Sequence, residues 1–455
     1  MGEALLELAL TPEGWRRDVF VAWDRGRITA VDASTAPERR APATRIAGAV
    51  VPGTGNLHSH AFQRGFAGLT ERRGAGADDH FWTWREEMYR FARTISPDDL
   101  AVLAALAQVE MLESGFTGVA EFHYVHHRPD GGSYDDPAEM SAAVVRAAET
   151  TGIGLTLLPV FYAHGGFGDR PTGEGQRRFV CDLESYARLH EAAGRAVATL
   201  EGGRIGIAPH SLRAVNDVEL RALAERHRGG PIHVHIAEQV AEVADCLVAT
   251  GRRPVEHLFD TVAVDRDWCL IHATHVEPNE VAAMAASGAV VGLCPITEAD
   301  LGDGIFPAVD HDAAGGAWGV GSDSNVLISL PQELRLLEQS QRLRDRARNR
   351  MARPPRSTGR SLFDAAVAGG ARALGEAASG LVVGARADFV ALDPDHVALA
   401  GRGDDALLDA WIFATAENPV REVWAGGRRV VVDGRHVARD RVEAGWRALL
   451  AKIAG

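Results

Sequence analysis

Hydrophobic and polar positions change rhythm twice along this chain of 455 residues. Over the first 50 residues they alternate. "DVFVAWDRGRITAVD" reads as two short strands around a turn at Asp24, Arg25 and Gly26. From about Val51 to about Gly370 the rhythm lengthens. Strand-like runs ("GFTGVAEFH", "IGLTLLPVFY", "RIGIAPHS", "PIHVHIAE", "CLIHATH", "AVVGLCP", "WGVGSDS") are separated by helix-like segments such as "PDDLAVLAALAQVEMLESG" and "DVELRALAERHRGG". Beyond that, "GLVVGARADFVALD" and "REVWAGGRRVVVDGRHV" return to short, glycine-punctuated strands. Alternating β and α predicts a parallel sheet with crossover helices, and about eight such units suit a (β/α)8 TIM barrel. The expected class is therefore α/β: a barrel over residues 51–377, with residues 1–50 and 378–455 pairing into a small composite β-sandwich domain.

Composition narrows the class. Charged residues make up 24% and the formal net charge is −14. Nucleic acid and anionic membrane both want a basic face, so neither is expected as a partner. No run is long and apolar enough for a membrane span, and the first residues have no basic, then apolar, export pattern, so a cytoplasmic protein is expected. The four cysteines are scattered without CxxC spacing and read as reduced and buried. Lys452 is the only lysine, which removes Schiff-base chemistry, a P-loop lysine and a carbamylated bridging lysine from the body of the chain. Two stretches read as mobile: 71–79 ("ERRGAGADD"), a possible lid over a substrate, and the basic 344–360 segment, a solvated helix end and loop.

In a parallel barrel the chemistry sits at the C-terminal ends of the strands. His58 and His60, in "GNLHSHAFQR", follow the apolar run "AGAVVPG"; two residues apart on a strand, they face one way and can reach one metal ion, or they are two polar loop histidines. "PIHVHIAEQ" adds His233, His235 and, three residues on, Glu238. His235 is nearer the strand end and is favoured as a ligand; His233 reads as a core histidine. "LIHATH" contributes His272 and His275, and "GVGSDSN" contributes Asp323, which could equally be a helix N-cap. The order carries more than any member does: HxH, then His-x-x-Glu, then His, then Asp, each at a separate strand end. Three histidines and an aspartate suit one Zn²⁺ or Fe²⁺ with a position left open for water.

With these residues in place, the sequence resembles the amidohydrolase superfamily in its mononuclear branch, over nearly the whole chain. "NLHSHAFQRGFAGLTE", "FWTWREEMYRFA", "APHSLRAV", "HIAEQ", "IHATH" and "GSDSNVLISLPQELRLLEQSQRL" resemble its formimidoylglutamate deiminase family more narrowly. The resemblance implies one divalent metal, most simply Zn²⁺ with Fe²⁺ possible, held by His58, His60, His235 and Asp323. It implies proton handling by Glu238, His272 and Asp323, and a substrate held by Gln63, Arg85, Tyr124, His210 and Arg213. It also implies a homodimer and hydrolysis of N-formimino-L-glutamate to N-formyl-L-glutamate and ammonia, in histidine degradation. The chemistry is consistent: a small substrate with two carboxylates calls for arginine forks, and Arg85 and Arg213 are the candidates, against a reading as surface ion pairs. Trp82 and Trp84 read as packing, and Arg64 has no place in this scheme. The competing readings are another deaminase of the same fold acting on a nucleobase, guanidine or triazine; a metal-free structural scaffold; and a structural zinc site, which the absence of a cysteine cluster disfavours.

Overall fold

The computed structural model describes residues 1–32, 43–72, 79–227 and 229–454. The possible lid at 71–79 falls largely outside these. Both chain ends meet in one sheet. Its strands are β1 (Gly2–Thr11), β2 (Gly14–Asp24), β3 (Arg27–Asp32), β4 (Thr44–Pro52) and, from the far end of the chain, β14 (Phe389–Leu392), β15 (Val420–Ala425), β16 (Arg428–Val432) and β17 (Arg435–His436). They lie in the order β17-β16-β15-β14-β4-β1-β2-β3, so the seam between the two ends is the antiparallel β4–β14 pair, Val51 opposite Val390. Beneath it, Leu6, Val19, Val21, Ile46 and Phe389 make a small apolar core of their own.

The middle of the chain alternates as its pattern predicts. The strands β5 (Thr54–Ser59), β6 (Phe116–His123), β7 (Gly154–Phe161), β8 (Arg204–Ile205) and β9 (Ala208–Pro209) form one parallel set; β10 (Ile232–Ile236), β11 (Trp268–His272), β12 (Val290–Leu293) and β13 (Ala317–Val320) form another. Every residue of β6, β10, β11 and β12 is buried, as expected of parallel strands covered by helices. Parallel bridges join Ser59 to Asp323 on one side, and Ile207 to Ile232 and Ser211 to His235 on the other, so strand contacts pass between the sets at both margins.

Local sequence sets these boundaries. The helix Pro97–Ser114 begins with a reciprocal box: Asp99 N–H donates to Ser96 Oγ at 3.2 Å, and Ser96 N–H donates to the Asp99 carboxylate at 2.9 Å. It ends at Gly115, whose φ of +104° only glycine adopts easily, and β6 begins at the next residue. The apolar run before the HxH pair divides: "AGAVVP" belongs to β4 in the end sheet, while His58 lies in β5 and His60 just past it. The chain crosses between the sheets at Gly53, where a side chain would collide with Thr117 and Asp388.

Two features differ from the pattern reading. The C-terminal stretch contains helices Asp405–Phe413 and Arg439–Ala454 besides strands. Val442 and Leu449, seven residues apart, are buried on one face of the latter, a helical spacing inside a segment that looks strand-rich overall. The 344–360 segment is also better tied down than its charge suggests: Arg344 and Arg350 bind Asp345, Arg353 pairs with Asp312, and Arg360 bonds Asp364. The four cysteines are buried and unbridged, and no helix among the described residues is long and apolar enough to cross a membrane.

Candidate active site

The C-terminal ends of the parallel strands converge on one buried cluster. His58 is the penultimate residue of β5 and His60 lies just past it; His235 is on β10, and Asp323 follows β13. Their ligand-type atoms all lie within 4.8 Å of one another. Asp323 Oδ1 is 3.4 Å from His58 Nε2 and 3.3 Å from His60 Nε2, and His235 Nε2 is 3.0 Å from His58 Nε2. His60 Nδ1 donates to the carbonyl of Phe122 at 2.9 Å and His235 Nδ1 to that of His210 at 3.0 Å. A carbonyl can only accept, so both rings carry hydrogen on Nδ1 and turn a lone pair inward from Nε2. Burial holds His58 down at about 3 and His235 well below its ordinary range, which leaves neutral rings.

A buried network locks the first and last strands together beneath this cluster. Asn56 Nδ2 donates to Ser322 Oγ at 2.6 Å, Ser322 Oγ donates to Asn325 Oδ1 at 2.6 Å, and Asn325 Nδ2 donates to Ser59 Oγ at 3.1 Å. The backbone reinforces it: His60 N–H donates to the Asp323 carbonyl, and Asp323 N–H to that of His58, both at 2.9 Å. Arg64, unplaced by the sequence, bonds Glu110 and donates to the carbonyls of Asn325 and Val326 at 3.3 Å, clamping the loop that carries Asp323. Ala237, His272, Ala273, Asp323 and Asn325 all have φ between +45° and +68°. Non-glycine residues hold that conformation at a cost of about 1–2 kcal/mol each, and here they bend three strand ends toward one point.

Next to the cluster lies a pocket walled by Phe81, Trp84, Met88 and Leu301. Gln63, Arg85, Tyr124, His210, Arg213, Glu238 and His272 all line it. Gln63 donates to the Tyr124 hydroxyl at 2.7 Å, and Arg85 donates to the Tyr162 hydroxyl at 2.9 Å. Trp82 lies under both guanidinium groups, 5.5 Å from Arg85 and 5.7 Å from Arg213, and so packs the arginines rather than the pocket. Arg213 Nη2 is 3.6 Å from the Glu238 carboxylate, while its Nε and Nη1 are buried without a hydrogen-bond partner. His272 Nε2 stands 3.8 Å from Glu238 Oε1 and 3.6 Å from Asp323 Oδ2. Burial raises the Glu238 carboxyl, with His272 and Arg213 pulling it back. Burial works against a charged His272, yet Glu238, Glu298 and Asp323 outweigh it and lift the imidazole to about 10. His233 and His275 stand apart from this group: His233 Nε2 bonds the Ala373 carbonyl at 2.8 Å, as a core histidine should.

The family model for the Amidohydrolase family matches residues 49–430. The chain belongs to the amidohydrolase family. It is 52% identical, over the full length of both chains, to formimidoylglutamate deiminase of Pseudomonas aeruginosa. It is 30% identical to the 8-oxoguanine deaminase of the same species, over 85% of this chain and 82% of that one. Among solved structures, an amidohydrolase from Brucella melitensis shares 48% identity over the whole of both chains, with a TM-score of 0.95. An adenosine deaminase from Xanthomonas campestris with bound zinc aligns over 99% of this chain and 98% of its own at 23% identity, with a TM-score of 0.82, a likeness of fold.

This amidohydrolase is a hydrolase whose donor set fits a divalent metal ion. Bonds of about 2.1 Å meeting at about 90–110° place ligand atoms roughly 3.0–3.4 Å apart, and the separations of 3.0, 3.3 and 3.4 Å fall in that range. Inward lone pairs on neutral imidazoles would repel one another and the carboxylate unless a cation lay among them. Several contributors had no advance nomination. Tyr162, at the end of β7, accepts from Arg85 and, at 2.5 Å, from Gln176. Glu298, after β12, bonds His272. Glu242 accepts the backbone N–H groups of Ala237 and Glu238. For Tyr162 and Glu298 the signal was position: β7 and β12 were the strands whose ends had no residue nominated.

Proposed function

We propose that this amidohydrolase hydrolyses N-formimino-L-glutamate to N-formyl-L-glutamate and ammonia. The observation that carries the reading is Arg213, which lines the same pocket as Arg85 beside the metal-type cluster and whose buried Nη1 has no hydrogen-bond partner, while its Nε stands 4.0 Å from Glu242. Buried guanidinium donors without acceptors call for an anion, and two arginines suit two carboxylates. The full-length identity with the Pseudomonas aeruginosa enzyme supports the substrate.

In this reading His58, His60, His235 and Asp323 hold one Zn²⁺. Such an ion supplies Lewis acidity and brings the pKa of a coordinated water toward about 7. Arg85 and Arg213 bind the carboxylates, and Gln63, Tyr124 and His210 add neutral contacts around the formimino group. Asp323 takes up the proton of the attacking water, and the charged His272 orients that water by donating from Nε2. Glu238, with its raised carboxyl, gives a proton to the departing nitrogen, which leaves as ammonia as its bond to the formimino carbon breaks. The surrounding frame is read as β5–β13 closing into a (β/α)8 barrel over residues 51–377, with residues 1–50 and 378–455 as a composite β-sandwich domain. The working form is read as a cytoplasmic homodimer.

Ammonia release from N-formimino-L-glutamate, with metal measured on the same sample, tests the proposal. The expected result is release that stops on chelation and returns with Zn²⁺. A protein holding metal but inert toward this substrate, and active on guanine or cytosine, sinks the substrate assignment.

A further inference from the structure

The turn after β12 gathers a second set of buried ligand-type atoms, from His272, Cys294 and Glu298, within 4.8 Å of one another. Hydrogen bonds already engage its carboxylate. Glu298 Oε1 accepts the Cys294 backbone N–H at 2.8 Å and faces His272 Nδ1 at 3.2 Å. An imidazole nitrogen facing a carboxylate at that distance carries the hydrogen, which directs Nε2 to the opposite side. That side holds Glu238 at 3.8 Å and Asp323 at 3.6 Å. The helix that carries Glu298, Pro295–Asp300, is itself held from two directions. Ile296 N–H donates to the Glu333 carboxylate at 3.0 Å, and Thr297 Oγ1 lies 3.0 Å from the hydroxyl of Ser324, the neighbour of Asp323. One short helix therefore grips the ends of β11 and β13 with adjacent side chains.

We propose that Glu298 is a positioning residue for the hydrolysis: by accepting from Nδ1 it fixes the direction of His272, so that Nε2 points between Glu238 and Asp323. The inference rests on the reaction and site roles given above, and treats the His272–Cys294–Glu298 group as a hydrogen-bonded brace rather than a second metal site.

The test uses zinc-loaded full-length protein, ¹⁵N-labelled at histidine, with His272 assigned by loss of its signals in His272→Asn. In Glu298→Ala the hydrogen-bonded Nδ1–H signal of His272 should vanish. The kcat should fall about 10–100-fold, with KM within about twofold and zinc near one per chain. Glu298→Gln keeps an acceptor oxygen and should recover part of the rate. Full rate in Glu298→Ala overturns the proposal. So does a parallel loss of zinc and rise in KM, which would mark structural damage, or a second zinc in the parent that Glu298→Ala removes. Should Glu298→Ala fail to fold, the Nδ1–H signal of Glu298→Gln decides: a clear upfield move supports the brace, and an unmoved signal overturns it. A parent enzyme inert toward N-formimino-L-glutamate would sink the substrate reading, while the NMR comparison, made without substrate, would still decide on Glu298.

Discussion

At the scale of residues, the site separates groups that need a fixed proton state from groups that must change theirs. His60 and His235 have their hydrogens committed to carbonyls, whereas Glu238 faces His272 and Arg213 across longer gaps of 3.8 and 3.6 Å. Glu238→Gln preserves shape and leaves the four-residue cluster untouched, but removes the exchangeable proton. It should keep its metal and lose about 10²–10⁴-fold in kcat, measured by ammonia release beside metal analysis. A near-normal rate would remove Glu238 from the reaction. The residues legible in the sequence were those whose chemistry is local: HxH on one strand face, His-x-x-Glu, an aspartate after small residues. Tyr162, Glu298 and Arg64 were not legible because each acts through a partner distant in sequence, Arg85, His272 and the Asn325 carbonyl. Only the unfilled ends of β7 and β12 pointed to Tyr162 and Glu298, and nothing pointed to Arg64.

Among the elements, the helix Phe81–Ala92 does the most with the least support. It carries Arg85, Trp82 and Trp84, and Asp79 and His80 just before it are exposed. Its far end is secured by Arg178, a buried guanidinium that donates to the carbonyls of Ala92 at 2.5 Å, Ile95 at 2.8 Å and His127 at 2.7 Å. Arg178→Leu would strand those acceptors at about 1–3 kcal/mol each where water cannot reach them. The expected outcome is a lowered Tm and, in whatever remains folded, a raised KM as Arg85 loses its footing. A variant with unchanged Tm and KM would show that the helix is held elsewhere. The alternation of strands and helices was readable because fully buried parallel strands are continuous apolar runs. The break between β8 and β9 and the two C-terminal helices were not readable, since each is only a few residues long or is embedded in strand-like sequence.

Taken as a whole molecule, the protein joins its two ends before it can be complete. Strands β1–β4 come first in the chain, yet the place beside β4 belongs to β14, which arrives only after β5–β13 have been made. During vectorial synthesis the four early strands therefore leave the ribosome with an open, apolar lateral edge at Val50, Val51 and Pro52. An unpaired edge of that kind recruits other chains as readily as its own. A chain stopped at residue 388, before β14, should collect in the pellet, whereas the full chain stays in the supernatant; a soluble, monodisperse truncated chain would contradict this. The same late closure makes the β4–β14 seam a kinetic gate: the edge can be covered from within the chain only once residues 389–391 have been made.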